Sequence, residues 1–147
     1  MINIEIIDRF ENGIKPQIIH AAAQQTLLHQ NISNEVDLSI LVDDAEKLSE
    51  LNRQFLGIDS ATDVLSFTAN EIDPETGRSY LGDIIISFSH AEKQAHDAGH
   101  STSSEIQLLV VHGILHLLGY DHADNKGKQK MWTIQEEILA CLPDDNY

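Results

Sequence analysis

The sequence predicts an α+β domain, in which helices cover a small mixed sheet of about four strands and one buried helix runs through the centre. Three observations carry this prediction. Apolar and polar residues alternate over residues 2–6 and 36–42, as in half-buried strands. Residues 81–87 contain three consecutive isoleucines, which is typical of a strand buried on both faces. Residues 105–118 are apolar around nearly the whole circumference of a helix. The length of 147 residues predicts one domain, residues 1–147.

The first half of the chain is predicted to form two strands and two helices. The helix that follows the first strand has Pro16 in its first turn, where proline is tolerated. The helix after the second strand is predicted to be capped by Asp43 and to end at Gly57. Its inward face is predicted to hold Ala45, Leu48, Leu51 and Phe55.

The second half is predicted to give two more strands and three helices. A short strand at 64–67 is separated from the strand at 81–87 by an exposed polar turn at 70–79. The next two helices are predicted to be capped by Ser89 and Thr102. An amphipathic C-terminal helix is indicated by Met131, Ile134, Ile138 and Leu142.

The composition narrows the class of protein. The formal net charge of −15 argues against a general nucleic-acid-binding surface, so no DNA partner is expected, although a local basic cleft is compatible with it. A single cysteine, Cys141, excludes an internal disulfide. No segment approaches the ~20 apolar residues of a membrane span, and no secretion signal is recognisable. We therefore expect a cytoplasmic protein without a membrane partner.

Three histidines in the segment HGILHLLGYDH are the strongest functional signal. His112 and His116 are four residues apart and lie on one face of the predicted central helix, where both are expected to be largely buried. Gly119 allows a left-handed exit from the helix, so that His122 can return to the same ion. Three imidazoles and a water suit an open tetrahedral zinc site, which predicts one Zn2+ per chain. The alternative is three separate structural histidines, which the cost of burying unpartnered imidazoles makes unfavourable.

This spacing is also that of the metzincin peptidases, HExxHxxGxxH. Gly113 stands where those enzymes have their catalytic glutamate. The metal ligands are therefore kept while the peptidase base is missing.

Beyond the histidine segment, two further motifs support a family resemblance. The segments LNRQFLGIDSATDVLSF (51–67), LGDIIIS (81–87) and HGILHLLGYDH (112–122) occur in an order that resembles the YbeY family of bacterial ribosomal-RNA maturation endoribonucleases. The resemblance implies a zinc-dependent, single-strand-directed endoribonuclease. It also implies that ribosomal RNA and the small ribosomal subunit are its partners.

The sequence departs from the family at one position. The family commonly has a functionally important arginine where this chain has Leu56, and Arg53, one helical turn earlier, is the candidate to replace it, unless it is an ordinary solvated charge. Because Gly113 supplies no base, the base has to be a metal-bound hydroxide or another group. Asp121 is a candidate for that base, or alternatively for orienting a histidine ring.

Three residues of the TDVLSF motif, Thr62, Asp63 and Ser66, are interpreted as structural support beside the site rather than as catalytic groups. Two other functions stay open. One is a zinc metallopeptidase-like hydrolase, which shares the metal spacing but lacks the glutamate. The other is a ribosome-associated binding factor with a structural zinc.

Overall fold

Four strands form one mixed sheet, in an order that differs from their order along the chain. The computed structural model describes residues 1–33, 35–57, 62–120 and 124–142. The strands are β1 (Ile2–Ile6), β2 (Val36–Asp43), β3 (Val64–Ile72) and β4 (Ser79–Ser87). Their order across the sheet is β1-β2-β4-β3; β2 runs parallel to β1 and to β4, whereas β3 is antiparallel to β4. The predicted mixed sheet of about four strands is confirmed.

Within the described ranges, five α-helices pack around this sheet, and one 3-10 turn (Asp8–Phe10) follows β1. The helices are α1 (Pro16–His29), α2 (Ala45–Leu56), α3 (Phe88–Ala98), α4 (Thr102–Leu117) and α5 (Asn125–Ala140). α4 contacts α1, α3, α5 and the strands β3 and β4, which places it at the centre of the fold. No helix among the described ranges is long and apolar enough to cross a membrane.

The consecutive isoleucines of β4 pack into two hydrophobic clusters, because successive side chains of a strand point to opposite faces. Ile84 and Ile86 are fully buried in the main cluster, which also holds the apolar residues of α1 and α4. Ile85 lies in a smaller cluster on the other face with Leu48 of α2 and Leu65 of β3. The prediction of a strand buried on both faces is therefore confirmed.

The β3–β4 hairpin is longer than predicted. Pairing continues to Ile72 opposite Ser79, so the predicted turn at 70–79 was too wide and only residues 73–78 connect the strands. The sequence there is polar because the outer half of β3 is exposed. Exposed edge strands do not require the apolar alternation that predicts buried ones.

The three predicted helix caps were wrong by one or two residues. Helix α2 is capped by Asp44, α3 by Ser87 and α4 by Ser101, and each side chain accepts a hydrogen bond from a backbone N–H in the first turn. In each case the chain has two candidate cap residues close together. The residue with extended backbone dihedrals before the first helical residue becomes the cap, and a sequence pattern does not show which one that is.

Phe55 was also wrongly predicted to face inward, since 62% of it is exposed. Leu48 is fully buried, and the next inward position one turn later is the buried Asn52. Phe55 lies at the margin of the second cluster, where its ring contacts Phe67 edge-on at a centroid distance of 5.7 Å. Helix α2 therefore presents a narrower apolar face to the sheet than its sequence predicts.

Helix α4 is confirmed as the buried central helix, with ten buried residues among its sixteen. Gly113 permits its close approach to β4. A Cβ atom at this position would lie 3.0 Å from Cγ2 and 3.1 Å from Cδ1 of Ile84. The glutamate that metzincins carry here would thus meet the sheet.

Candidate metal centre

His112 and His116 turn their ring nitrogens toward each other on successive turns of α4. Their Nε2 atoms are 3.1 Å apart, and the rings meet edge-on with a centroid distance of 4.6 Å. Two nitrogens at 2.0–2.1 Å from one tetrahedral zinc would be about 3.3–3.4 Å apart. The two imidazoles therefore fit a shared zinc ion. Most of the surface of both imidazoles is covered, although neither is fully buried, which agrees with the expectation that they are largely buried.

The other ring nitrogen of His112 is held by α5. His112 Nδ1 lies 3.1 Å from Oε1 of Gln135, a residue of which only 4% is exposed. An Nδ1–H that donates to this amide oxygen leaves the lone pair on Nε2, the atom that faces His116. Hydrogen bonds of this kind fix the tautomer and ring orientation of metal-binding histidines.

Gln135 was missed by the sequence analysis, although a signal was present. It lies on the face of α5 that Met131 and Ile138 bury in the core. A glutamine on an otherwise apolar helix face has to find a buried hydrogen-bonding partner. That requirement pointed to a buried polar contact, which the structure shows to be with His112.

The segment that leads to the third predicted ligand leaves α4 as expected. Gly119 has a φ of +101°, and the N–H of Tyr120 donates to the carbonyl oxygen of Leu115 at 3.0 Å. The hydroxyl of Tyr120 donates to Gln30 Oε1 at 2.7 Å, which ties this turn to the region just after α1. The left-handed exit is therefore confirmed.

His122 and Asp121 lie outside the described residues. Within the described ranges no three His, Cys, Asp or Glu side chains converge as a metal site. The contribution of His122 to the metal, and that of Asp121 to catalysis or ring orientation, stay predictions.

Arg53, the predicted phosphate contact, is exposed on α2, as is Leu56. Neither of them is among the described residues that line the cavity beside His112. The catalytic role of Arg53 stays a prediction.

The TDVLSF motif supports the histidine helix directly. The hydroxyl of Ser66 donates to the carbonyl oxygen of Gly113 at 3.3 Å, which joins β3 to α4 between the two histidines. The carboxylate of Asp63 accepts from Thr62 Oγ1 at 3.4 Å and from Gln94 Nε2 at 3.3 Å. Asp63 also lines the cavity beside His112.

Other histidines near α3 have different surroundings. His96 is exposed, His90 Nδ1 lies 2.8 Å from Ser87 Oγ, and His100 Nε2 lies 2.7 Å from Glu105 Oε1. None of these contacts turns two imidazoles toward each other. The pair on α4 is the arrangement with metal-ligand geometry among the histidines described.

The fold and this pair define a class, that of small α+β proteins with a histidine-based candidate metal centre on a central helix. The family model described as Endoribonuclease YbeY matches residues 6–143, and the chain belongs to this family.

Relatives and a solved structure agree with this assignment. The Endoribonuclease YbeY of Shouchella clausii is 41% identical, with 95% of this chain and 94% of the relative covered. That of Persephonella marina is 43% identical, with 97% and 91% covered. The solution structure of a Thermotoga maritima protein is similar with a TM-score of 0.61 and 26% identity, over 95% of this chain and 87% of that one.

Proposed function

We propose that this chain is a zinc-dependent endoribonuclease that cleaves single-stranded RNA during ribosomal RNA maturation. The observation that carries the proposal is the pair of Nε2 atoms of His112 and His116, 3.1 Å apart, in a chain of the YbeY endoribonuclease family. Its action would be in the cytoplasm, with ribosomal RNA and the small ribosomal subunit as partners. These last assignments rest on the family resemblance.

The residues that would hold zinc are His112 and His116, with His122 as the third ligand. Imidazole nitrogen is a donor that zinc favours, and Gln135 presents Nε2 of His112 for it. When bound, zinc supplies Lewis-acid stabilisation of the charge that develops on a phosphodiester. RNA carries a 2′-hydroxyl as its own nucleophile, so the protein need not supply one.

Packing of α4 disfavours the metzincin mechanism of peptide hydrolysis. The position of the metzincin glutamate is Gly113, against which Ile84 packs closely. A proton acceptor therefore has to come from elsewhere, and Asp121 is our candidate for it. Arg53 is our candidate for a phosphate contact, since it is exposed on α2.

Cleavage by zinc-reconstituted protein tests this function. We expect cleavage of an end-labelled single-stranded RNA at internal positions, little cleavage of the same sequence in a duplex, and none of a peptide library. His116→Ala is expected to lose the activity and His96→Ala, an exposed histidine on α3, to keep it. Peptide cleavage without RNA cleavage would contradict the proposal and favour the metallopeptidase alternative.

A separate variant tests the phosphate contact. Arg53→Ala is expected to reduce RNA cleavage without lowering the zinc content. Unchanged cleavage would assign Arg53 to the solvated surface of α2.

A further inference from the structure

A small cavity opens beside His112 on the side of α5. Its volume is about 240 Å3, which is below the ~300–1,000 Å3 of pockets for drug-sized ligands. Its lining combines an apolar wall with a few polar groups. The apolar wall comprises Leu108, Leu109, Met131 and Trp132, and the polar groups belong to Asp63, His112, Lys128 and Gln135.

Trp132 and Lys128 lie one turn apart on α5, so their side chains are neighbours on one face of the helix. Trp132 is 58% exposed, although a core position is the usual place for a large aromatic residue. Within the described ranges no carboxylate lies within ion-pair distance of Lys128. An exposed aromatic face and an available cation therefore border the same cavity.

The start of α5 differs in charge from the chain as a whole. Lys126, Lys128 and Lys130 are three of the nine Lys and Arg residues, and they fall within five residues at the start of α5. No acidic residue interrupts this segment, whereas the chain as a whole carries a formal charge of −15. Of these lysines, Lys128 lines the cavity, whereas Lys130 lies over the ring of Tyr120 beside a different cavity. The positive charge of Lys128 can hold a phosphate at the cavity, while the acidic remainder of the surface repels the backbone.

We propose that this cavity binds one unpaired nucleobase of the RNA strand, stacked on the indole of Trp132, with an adjacent phosphate at Lys128. This inference rests on the proposed function and explains how the same site selects single-stranded RNA. Aromatic side chains bind single-stranded nucleic acids by stacking, because every base has a flat face to offer. A paired base is stacked between its neighbours and cannot enter, so the cavity selects single strands.

The polar wall adds a means to distinguish bases. Asp63 lines the cavity, and its carboxylate accepts from Gln94 Nε2. We propose that this carboxylate also accepts a hydrogen bond from the exocyclic amine of adenine, cytosine or guanine, which uracil lacks. Because His112 lines the same cavity, a base bound here places the neighbouring phosphodiester beside the paired histidines. Base binding would thus position the strand for cleavage.

The fluorescence of Trp132 gives a direct test, since it is the only tryptophan in the chain. The probe is a 2′-O-methylated single-stranded RNA oligonucleotide, which lacks the internal nucleophile, titrated into the zinc-loaded protein. We expect saturable quenching by the single strand and none by the corresponding duplex. Absence of quenching by the single strand would overturn the proposal.

Variants separate stacking from general attraction. Affinity for the same probe, measured with a labelled strand, is expected to fall about 5- to 150-fold in Trp132→Ala and to recover in Trp132→Phe. The control is Phe55→Ala, which removes an exposed aromatic ring on α2 and should leave the affinity unchanged. Equal affinity of Trp132→Ala and wild type would contradict stacking.

Salt dependence tests the phosphate contact. Lys128→Ala is expected to lower the slope of log Kd against log salt by about 0.7, the value for one phosphate contact on a single strand. Lys93→Ala, an equal charge change on α3, should leave the slope unchanged. A slope that is the same in both variants would place the phosphate elsewhere and overturn this part of the proposal.

Two different results would contradict the base site and the proposed endoribonuclease activity. If wild-type protein cleaves RNA while Trp132→Ala keeps the KM and shows wild-type affinity, the base site is wrong and the endoribonuclease stands. If the probe quenches Trp132 but no RNA is cleaved, the base site stands and the proposed activity is wrong.

Discussion

At the scale of single residues, the histidine pair was predictable from its spacing, whereas the sequence signalled a buried partner for Gln135 without showing that the partner is His112. His112 and His116 are four residues apart, and helix geometry alone brings such residues to one face. Gln135 is 23 residues from His112 and meets it only because α5 docks on α4. The absence of the metzincin glutamate at Gly113 could be seen in the sequence. The contact of Gly113 with Ile84 could not, because it depends on how α4 packs on the sheet.

Removal of Gln135 tests its role in holding His112. Gln135→Met keeps the volume of the side chain and removes the hydrogen-bond acceptor. We expect zinc affinity to fall about 10- to 100-fold, the usual effect of losing a partner that orients a ligand. Competition with a chromophoric chelator measures the affinity. Gln129→Met, an exposed glutamine on the same helix, is the control, and equal affinities of the two variants would show that Gln135 is only a packing residue.

At the scale of elements, periodicity predicted which segments become helices and strands better than it predicted where they begin. The cap of α4 is an example, since Ser101 and Thr102 are adjacent and both are good cap residues. In the structure Ser101 is extended, with φ −72° and ψ 156°, and its hydroxyl accepts from the N–H of Ser104 at 3.1 Å. Thr102 is already the first helical residue, so its hydroxyl is not at the cap position.

These adjacent residues provide a matched test of the cap. Ser101→Ala is expected to lower the free energy of unfolding by about 0.5–2 kcal/mol, because the N–H of Ser104 loses its partner. Thr102→Ala should change it by less than about 0.5 kcal/mol. Urea denaturation of both variants gives the comparison, and a larger loss in Thr102→Ala would restore the cap that the sequence predicted.

A second element-level contact joins the start of β4 to β2. The Arg78 guanidinium donates to Asp37 through Nε at 3.2 Å and through Nη2 at 2.7 Å. Hydrogen bonding from Arg78, and next from the Met1 ammonium group, holds the pKa of Asp37 well below its usual range. A carboxylate with a depressed folded-state pKa adds stability above its unfolded pKa of about 3.9, and this contribution declines as the pH falls below that value.

Arg78→Met should therefore destabilise the protein more at pH 7 than at pH 3. Urea denaturation at the two pH values measures the difference. Lys93→Met breaks an exposed ion pair with Asp97 on α3 and should cost little at either pH. A loss in Arg78→Met that is equal at both pH values would mean that Arg78 acts through packing and its bond to the Val36 carbonyl oxygen rather than through Asp37.

At the scale of the whole molecule, the fold class followed from local patterns. Alternation marked β1 and β2, and the apolar circumference of α4 marked it as central. The strand order β1-β2-β4-β3 depends on long-range pairing, and a local pattern carries no information about it. The outer hairpin was underestimated for a related reason, because its exposed end gains order from strand pairing rather than from burial.

One part of the candidate site follows from local sequence spacing, and the other depends on long-range packing. The two histidines predicted as its first ligands come from one helix and could be found by spacing, whereas the cavity beside them combines residues of three segments, around Asp63, Leu108 and Lys128. Sequence reasoning therefore located the candidate metal centre, and the fold places beside it the groups that we propose hold RNA. The central claim of this account is that the histidines of the HGILHLLGYDH segment hold one zinc ion.

Zinc content is the measurement that tests this claim most directly. Elemental analysis of protein purified without chelator should give about one zinc per chain for the wild type and for His96→Ala. His96 is the control because it is an exposed histidine on α3 and not one of the predicted ligands. His116→Ala should lose most of the zinc while circular dichroism shows that it remains folded. Equal zinc content in His116→Ala and His96→Ala would contradict a metal centre built on His112, His116 and His122.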